Sequence, residues 1–224
     1  MLNADQDRGH DSLMDKVYRN QRHLYDFTRK YYLFGRDSLI GTLDLKPGER
    51  VLEIGCGTAR NLIAMARRYP EARFYGLDAS AEMLKTAGLA VARAGLGDRI
   101  HLVHGLAESV SAALFGEATP FDRAIFSYSL SMIPDWEQAL SAAKATLSAA
   151  GRIHVVDFGD FDGLPGPLAR LLRRWLALFH VEPRVRMLKT LESDGTKTHP
   201  NSNNLRILPG RYAFVWSGTA YGSP

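Results

Sequence analysis

The residues able to do chemistry gather where two apolar runs stop. Val51-Leu52-Glu53-Ile54 ends in Gly55-Cys56-Gly57-Thr58-Ala59-Arg60, and a helix-compatible stretch from Asn61 to Tyr69 follows. Glycine belongs where a backbone turns sharply and a ligand approaches with no Cβ between. A second run, Phe74-Tyr75-Gly76-Leu77, ends in Asp78, 21 residues past Gly57. A carboxylate at such a strand end can accept hydrogen bonds from both ribose hydroxyls. Together the two strand ends predict a nucleoside site at the carboxyl edge of a doubly wound sheet.

Spacing separates the cofactor classes that use such a turn. The dinucleotide fingerprint needs glycine or alanine three residues after its second glycine. Arg60 stands there, so the NAD reading fails. An acid two residues before the first glycine, then G-x-G-x-A, resembles instead the turn of class I S-adenosylmethionine (SAM) methyltransferases. The resemblance implies SAM as cofactor and S-adenosyl-L-homocysteine as product. It gives Glu53, Gly55, Cys56, Gly57, Thr58, Asp78 and Ala79 to cofactor placement. Ile100 to His104 reads as a third strand, and in related enzymes the residues just after it embrace adenine. Leu106 stands where many carry aspartate, which leaves backbone groups of Leu106 and Ala107, or the Glu108 carboxylate, as adenine partners. The fourth strand, Phe121 to Ser127, ends where the superfamily faces the methyl group. Ser127 and Tyr128 are therefore candidates for the lining, against the plain alternative of a loop with incidental hydroxyls. Asp157 ends the fifth strand, either beside the site or as a solvated carboxylate.

What must position these groups begins at the amino terminus. Ser12 suits an N-cap, and Leu13, Val17, Leu24, Thr28 and Tyr31 share one helical face. Tyr18, Tyr25 and Tyr32 recur every seven residues along its border, as ordinary packing or as a lid presenting phenols to the reaction centre. Gly35 ends this helix, and 36–43 forms a short second one. The string Tyr18-Arg19-Asn20-Gln21-Arg22-His23-Leu24-Tyr25-Asp26, with Thr28-Arg29-Lys30-Tyr31-Tyr32 and Gly35-Arg36-Asp37, resembles the betaine-lipid N-methyltransferases. These bacterial enzymes trimethylate diacylglyceryl-homoserine. Ala59 departs from them, standing where glycine is expected. Tyr25-Asp26 and Gly35 are also similar to the ubiquinone-pathway C-methyltransferases. The resemblance implies Tyr25, Tyr32 and Tyr128 as the aromatic wall of a catalytic centre. His199, Asn201 or Arg29 would then hold the substrate carboxylate. Another lipid amine, such as phosphatidylethanolamine or an ornithine lipid, is the rival substrate. A non-catalytic SAM-binding membrane protein is the rival class.

Ser80 to Ala94 reads as a helix capped by Ser80, and Trp136 to Leu147 as another, stopped by Gly151 ahead of a strand from Arg152 to Asp157. This alternation predicts a parallel sheet covered on both faces. From Leu164 to Val181, winding at 100° per residue puts Leu168, Leu171, Leu172, Trp175, Leu176 and Phe179 on one face and Arg170, Arg173 and Arg174 on another. With no acid in it, the helix reads as interfacial, although packing on the sheet explains the stripe as well. Residues 190–204 are polar and turn-rich, and Leu205–Leu208 with Tyr212–Trp216 flank Pro209-Gly210 as a closing hairpin. The expected architecture is α/β, a Rossmann-like class I methyltransferase fold with a mostly parallel seven-stranded sheet and an antiparallel C-terminal edge. It spans 1–224 as a helical lid (1–45), a SAM-binding core (46–158), an amphipathic helix with a substrate loop (159–204) and the hairpin (205–218).

The chain has 224 residues and a formal net charge of +4, a mild excess that suits an anionic surface, although most proteins with this balance bind neither membrane nor nucleic acid. The single cysteine, Cys56, cannot form an internal disulfide and reads as filler in the turn. No zinc-type cluster appears, so no metal is expected. No run approaches the roughly 18 apolar residues of a spanning helix. The expected location is cytoplasmic, peripheral on the inner face of the cell membrane.

Overall fold

The structure is a computed structural model and describes residues 35–178, 181, 186–191 and 204–219. The helix expected from Ser12, and most of the loop at 190–204, lie outside the described residues. Seven strands form one sheet in the order β3-β2-β1-β4-β5-β7-β6. They are β1 (Arg50–Ile54), β2 (Arg73–Asp78), β3 (Ile100–His104), β4 (Phe121–Ser127), β5 (Leu147–Phe158), β6 (Asn204–Ile207) and β7 (Ala213–Thr219). The first five pair in parallel, and β7 runs antiparallel between β5 and β6. The Rossmann-like sheet and its antiparallel edge are as the sequence predicts.

Helices cover both faces: α1 (Arg36–Gly41), α2 (Arg60–Arg68), α3 (Ala81–Arg93), α4 (Trp136–Ala145) and α5 (Gly166–Ala177). Parallel strands covered on both sides read as nearly continuous apolar runs. Accordingly Val51, Leu52 and Ile54 of β1 are all fully buried. Val51, Ile125 and Val156 pack with Leu62 and Met65 of α2 on one face. Leu52, Ile54 and Phe126 pack with Trp136 and Leu140 of α4 on the other.

Two elements differ from expectation. Helix α4 ends at Ala145, short of Leu147, and the next strand starts before Gly151. The hydroxyl of Thr146 donates to the Ala143 carbonyl (2.7 Å), and the Phe121 amide donates to the Thr146 carbonyl (2.9 Å). That pulls the chain into the ladder, with Leu147 beside Phe121. Helix α5 forms, but it buries Ala169 and Leu176 while Leu168, Leu171 and Leu178 stay exposed. Beside the buried edge, the Arg173 guanidinium donates to the Asp160 carbonyl and to the Asp162 carboxylate (3.2 Å). Phe179 lies outside the described residues.

Candidate active site

The turn after β1 is built by backbone pairing. The amides of Gly55 and Cys56 both donate to the Leu77 carbonyl, at 2.8 and 3.0 Å, tying the β1 exit to β2. Gly55 adopts φ +74°, and a Cβ there would sit 2.5 Å from the Ser129 Cβ. Ser129 is held in place by donating its hydroxyl to the Ile54 carbonyl (2.8 Å). The Gly57 amide donates to one carboxylate oxygen of Asp78 (2.7 Å), and the Ser80 amide to the other (2.9 Å). Asp78 thus joins the glycine turn to the start of α3, which Ser80 caps by accepting from the Met83 amide (3.3 Å). Each carboxylate oxygen has two lone pairs, which leaves acceptor capacity for ribose hydroxyls. Ala59 sits at φ 61°, in the left-handed region at the head of α2, which is why glycine would be expected there.

These elements enclose an open cleft of about 670 Å³ at the carboxyl ends of the strands. Of the residues assigned to the cofactor, Gly55, Gly57, Asp78, Ala79, Leu106, Ala107 and Glu108 line it, and so does Tyr128. Glu53, Cys56, Thr58 and Ser127 stand outside the lining. Glu53 is buried behind the turn, where it accepts from the Asn61 amide side chain at 2.7 Å and braces the first turn of α2. Cys56 packs over Gly76. Burial, then the Asp78 and Glu53 charges, push its thiol well above the ordinary range, so it is no nucleophile. The Ser127 hydroxyl is buried and has no hydrogen-bond partner among the described residues. Asp157 is buried rather than solvated, accepting from the amides of Ser131 (3.0 Å) and Phe158 (2.8 Å). Tyr25, Arg29, Tyr32, His199 and Asn201 lie outside the described residues.

The lining also includes Met83, Met132, Ile133 and Pro134, which sequence reasoning did not assign to the site. Their only signal was position, just past Asp78 and just past Tyr128, because apolar side chains there read as core. Tyr128 takes φ 55° and stacks edge-on against Phe158, with ring centroids 4.7 Å apart. Burial, then the neighbouring Tyr212 and Asp157, raise its phenol far above the ordinary range, opposed by the Arg36 charge. It is a neutral hydroxyl at any physiological pH.

Among the described residues the lining has two carboxylates, Asp78 and Glu108, and no Lys, Arg or His. A pyrophosphate finds no cation here, whereas a cationic nucleoside finds two negative groups and an apolar wall. The comparisons agree with this chemistry. Residues 51–151 match the family model described as "Methyltransferase domain". This stretch is therefore similar to methyltransferase domains, and the sheet around it has their Rossmann-like fold. The domain is 40% identical over 80 residues to a trans-aconitate 2-methyltransferase of Pseudomonas paraeruginosa, covering 36% of this chain and 29% of that one. A ubiquinone/menaquinone biosynthesis C-methyltransferase of Syntrophotalea carbinolica is 27% identical, covering 96% of this chain and 86% of its own. Against that trans-aconitate 2-methyltransferase and the demethylmenaquinone methyltransferases of Geobacillus kaustophilus and Bacillus mycoides, the chain spans less than half of the relative's length. The fold is that of a SAM-dependent methyltransferase from Aquifex aeolicus, with a TM-score of 0.62 at 16% identity, covering 91% of this chain and 98% of that one.

The cofactor is SAM, and its fit can be read from the site. The turn has no room for a Cβ at Gly55, Asp78 keeps acceptor capacity beside the Gly57 amide, and the lining carries no cation among the described residues. The glycine turn and Asp78 would hold the amino-acid and ribose parts. Met83, Leu106 and Ile133 would flank the base.

Proposed function

We propose that this chain is a SAM-dependent N-methyltransferase of a lipid amine, diacylglyceryl-homoserine, and that successive transfers yield its trimethylated betaine form. The substrate assignment rests on the amino-terminal string from Tyr18 to Asp37, whose likeness to the betaine-lipid enzymes is more specific than any glycine turn. The cleft supports amine methylation through what lines it. When bound, SAM supplies a methyl group on a positively charged sulfur. Asp78 and Glu108 favour a cation by charge, and the Tyr128 ring adds a face attractive to sulfonium and ammonium alike. The described lining holds no His or Lys to serve as a general base, so the attacking amine, with an ordinary pKa near 8, must arrive unprotonated. Positioning then does most of the work, worth up to about 7–11 kcal/mol for well-aligned reactants. Tyr25, Tyr32 and Tyr128 would wall the reacting atoms, with His199, Asn201 or Arg29 on the substrate carboxylate. The chain would reach its lipid as a peripheral protein on the anionic inner face of the cell membrane.

Carbon methylation of a quinone precursor is the second reading, favoured by the quinone-pathway relative that spans nearly the whole chain. One assay separates the two. Purified protein with SAM is offered mixed micelles containing either diacylglyceryl-homoserine or demethylmenaquinone, and products are read by mass spectrometry. The expected result is mono-, di- and trimethylated lipid with the quinone untouched. Methylated quinone with unmodified lipid would overturn the assignment.

A further inference from the structure

A second depression opens on one sheet face at the opposite end of the parallel strands. Arg123 of β4 stands in register with Arg152 of β5, and one row on, Ile125, His154 and Ser217 are partners across β4, β5 and β7. Partners in register share a face, and Arg123 lies four residues, or about 13 Å, from the Ser127 end of its strand. The depression is open to solvent, spans about 1170 Å³ and is lined by these two arginines and by His154, Lys46, Arg206 and Asp44, among others. The described lining thus has four cationic side chains against one carboxylate. Behind it, Glu49 pairs with Arg123 at 2.9 Å.

His154 points to what this surface holds. It is 6% exposed, and its Nδ1 lies 2.8 Å from the Ser217 hydroxyl. Its Nε2 is buried and has no hydrogen-bond partner among the described residues, as is also true of the Arg123 Nε. Buried polar atoms are nearly always paired, and several cations converging beside one orphaned ring nitrogen call for an anion with several oxygens. We propose that this pocket binds a phosphate group, with Lys46, Arg123, Arg152 and Arg206 as its cationic wall and His154 Nε2 as a buried donor. The site is independent of the methyl-transfer reading, and neither stands or falls with the other.

Burial, then the charges of Arg123 and Arg152, hold the His154 pKa down at about 3, so the ring is neutral at pH 7. A phosphate dianion alongside reverses the local sign and favours the imidazolium. The groups around the ring are Arg123, Arg152, Ser217 and Arg206 from four strands, with Asp44 and Lys46 from the segment after α1. The test is a titration of the full chain, labelled at histidine nitrogen, with inorganic phosphate, followed by NMR. The expected result is a saturable shift of the His154 resonances at millimolar phosphate, with the ring now titrating towards neutral pH. Lys46→Gln and Arg206→Gln, at exposed positions that leave the core intact, should each weaken binding about tenfold. A parallel arm uses phosphatidylglycerol vesicles against phosphatidylcholine vesicles. A response to soluble phosphate identifies a small phosphorylated ligand, and a response to phosphatidylglycerol alone identifies a lipid headgroup. Silence of the His154 signals in both arms, or an undiminished response in the double variant, would overturn the proposal. Binding of S-adenosylhomocysteine, measured on the same samples, should be unchanged throughout.

Discussion

At the scale of single residues, the turn after β1 is where backbone conformation and ligand approach make the same demand. Gly55 needs both a positive φ and an absent Cβ, since a methyl group there would overlap Ser129 at 2.5 Å. A left-handed alanine costs about 1–2 kcal/mol, and overpacking adds about 1–3 kcal/mol. Gly55→Ala should therefore lower the Tm by roughly 5–15 °C in a chain of this size. It should also weaken S-adenosylhomocysteine binding by at least about tenfold, because the displaced turn carries the Gly57 amide out of register with Asp78. Gly88 supplies the contrast. It lies inside α3 with nothing within 4 Å of an added Cβ, so Gly88→Ala should raise the Tm by about 1–4 °C through helix propensity alone. Calorimetric melting and ligand titration of the two variants side by side check both statements. Equal melting temperatures would mean that the Ser129 contact exerts no constraint.

At the scale of elements, the site depends on how β5, β7 and α5 are fastened, and one ion pair does much of this. The Arg211 guanidinium forks onto the Asp160 carboxylate, its Nε at 2.7 Å, while Arg173 of α5 donates to the Asp160 carbonyl. Hydrogen bonds from Arg211, and then its charge, hold the Asp160 carboxyl below the usual range against the opposing effect of burial. A group whose folded pKa is depressed contributes stability above its unfolded pKa, near 4, and loses it as pH falls through the folded value. Arg211→Gln should accordingly cost up to about 1 kcal/mol at pH 7, or roughly 2–4 °C in Tm, and progressively less as the pH falls below about 4. Melting curves for the wild type and Arg211→Gln from pH 7 to pH 3 read this directly, and a deficit independent of pH would refute it. The same region shows where sequence reading stops. Strands β3 and β4 end where the apolar run meets Gly105 or Tyr128, so their bounds were legible. Helix α5 was legible as a helix with one broad apolar arc, but periodicity alone does not say that the sheet takes only the Leu176 edge of it. The cleft divides in the same way. The glycines and Asp78 are marked by residue type, whereas Met83, Met132 and Ile133 look like any other core positions until the fold brings them together.

At the scale of the molecule, α5 is buried along Ala169 and Leu176, yet its apolar arc runs on round the helix into solvent. Leu171 is 65% exposed, Leu178 63% and Leu168 45%. At 100° per residue, Leu171 lies about 200° from Ala169, so packing on the sheet does not account for it. Arg170 and Arg174 border this outer stripe along one edge, and the helix contains no acid. Among the described residues no helix is long and apolar enough to cross a membrane. A basic-flanked apolar arc of this kind suits a helix lying in the headgroup layer, where each basic side chain adds about 1 kcal/mol towards an anionic surface and buried leucines add about 1.5–3 kcal/mol apiece. The chain should therefore sediment with phosphatidylglycerol vesicles and far less with phosphatidylcholine, and raised salt should release part of it. Leu171→Glu with Leu178→Glu should reduce partitioning by about tenfold or more while leaving the melting temperature within about 2 °C, because neither side chain packs in the core. If partitioning survives the double substitution, α5 is not the membrane contact. If instead sedimentation velocity shows a dimer that these substitutions dissolve, the arc serves a second copy of the chain.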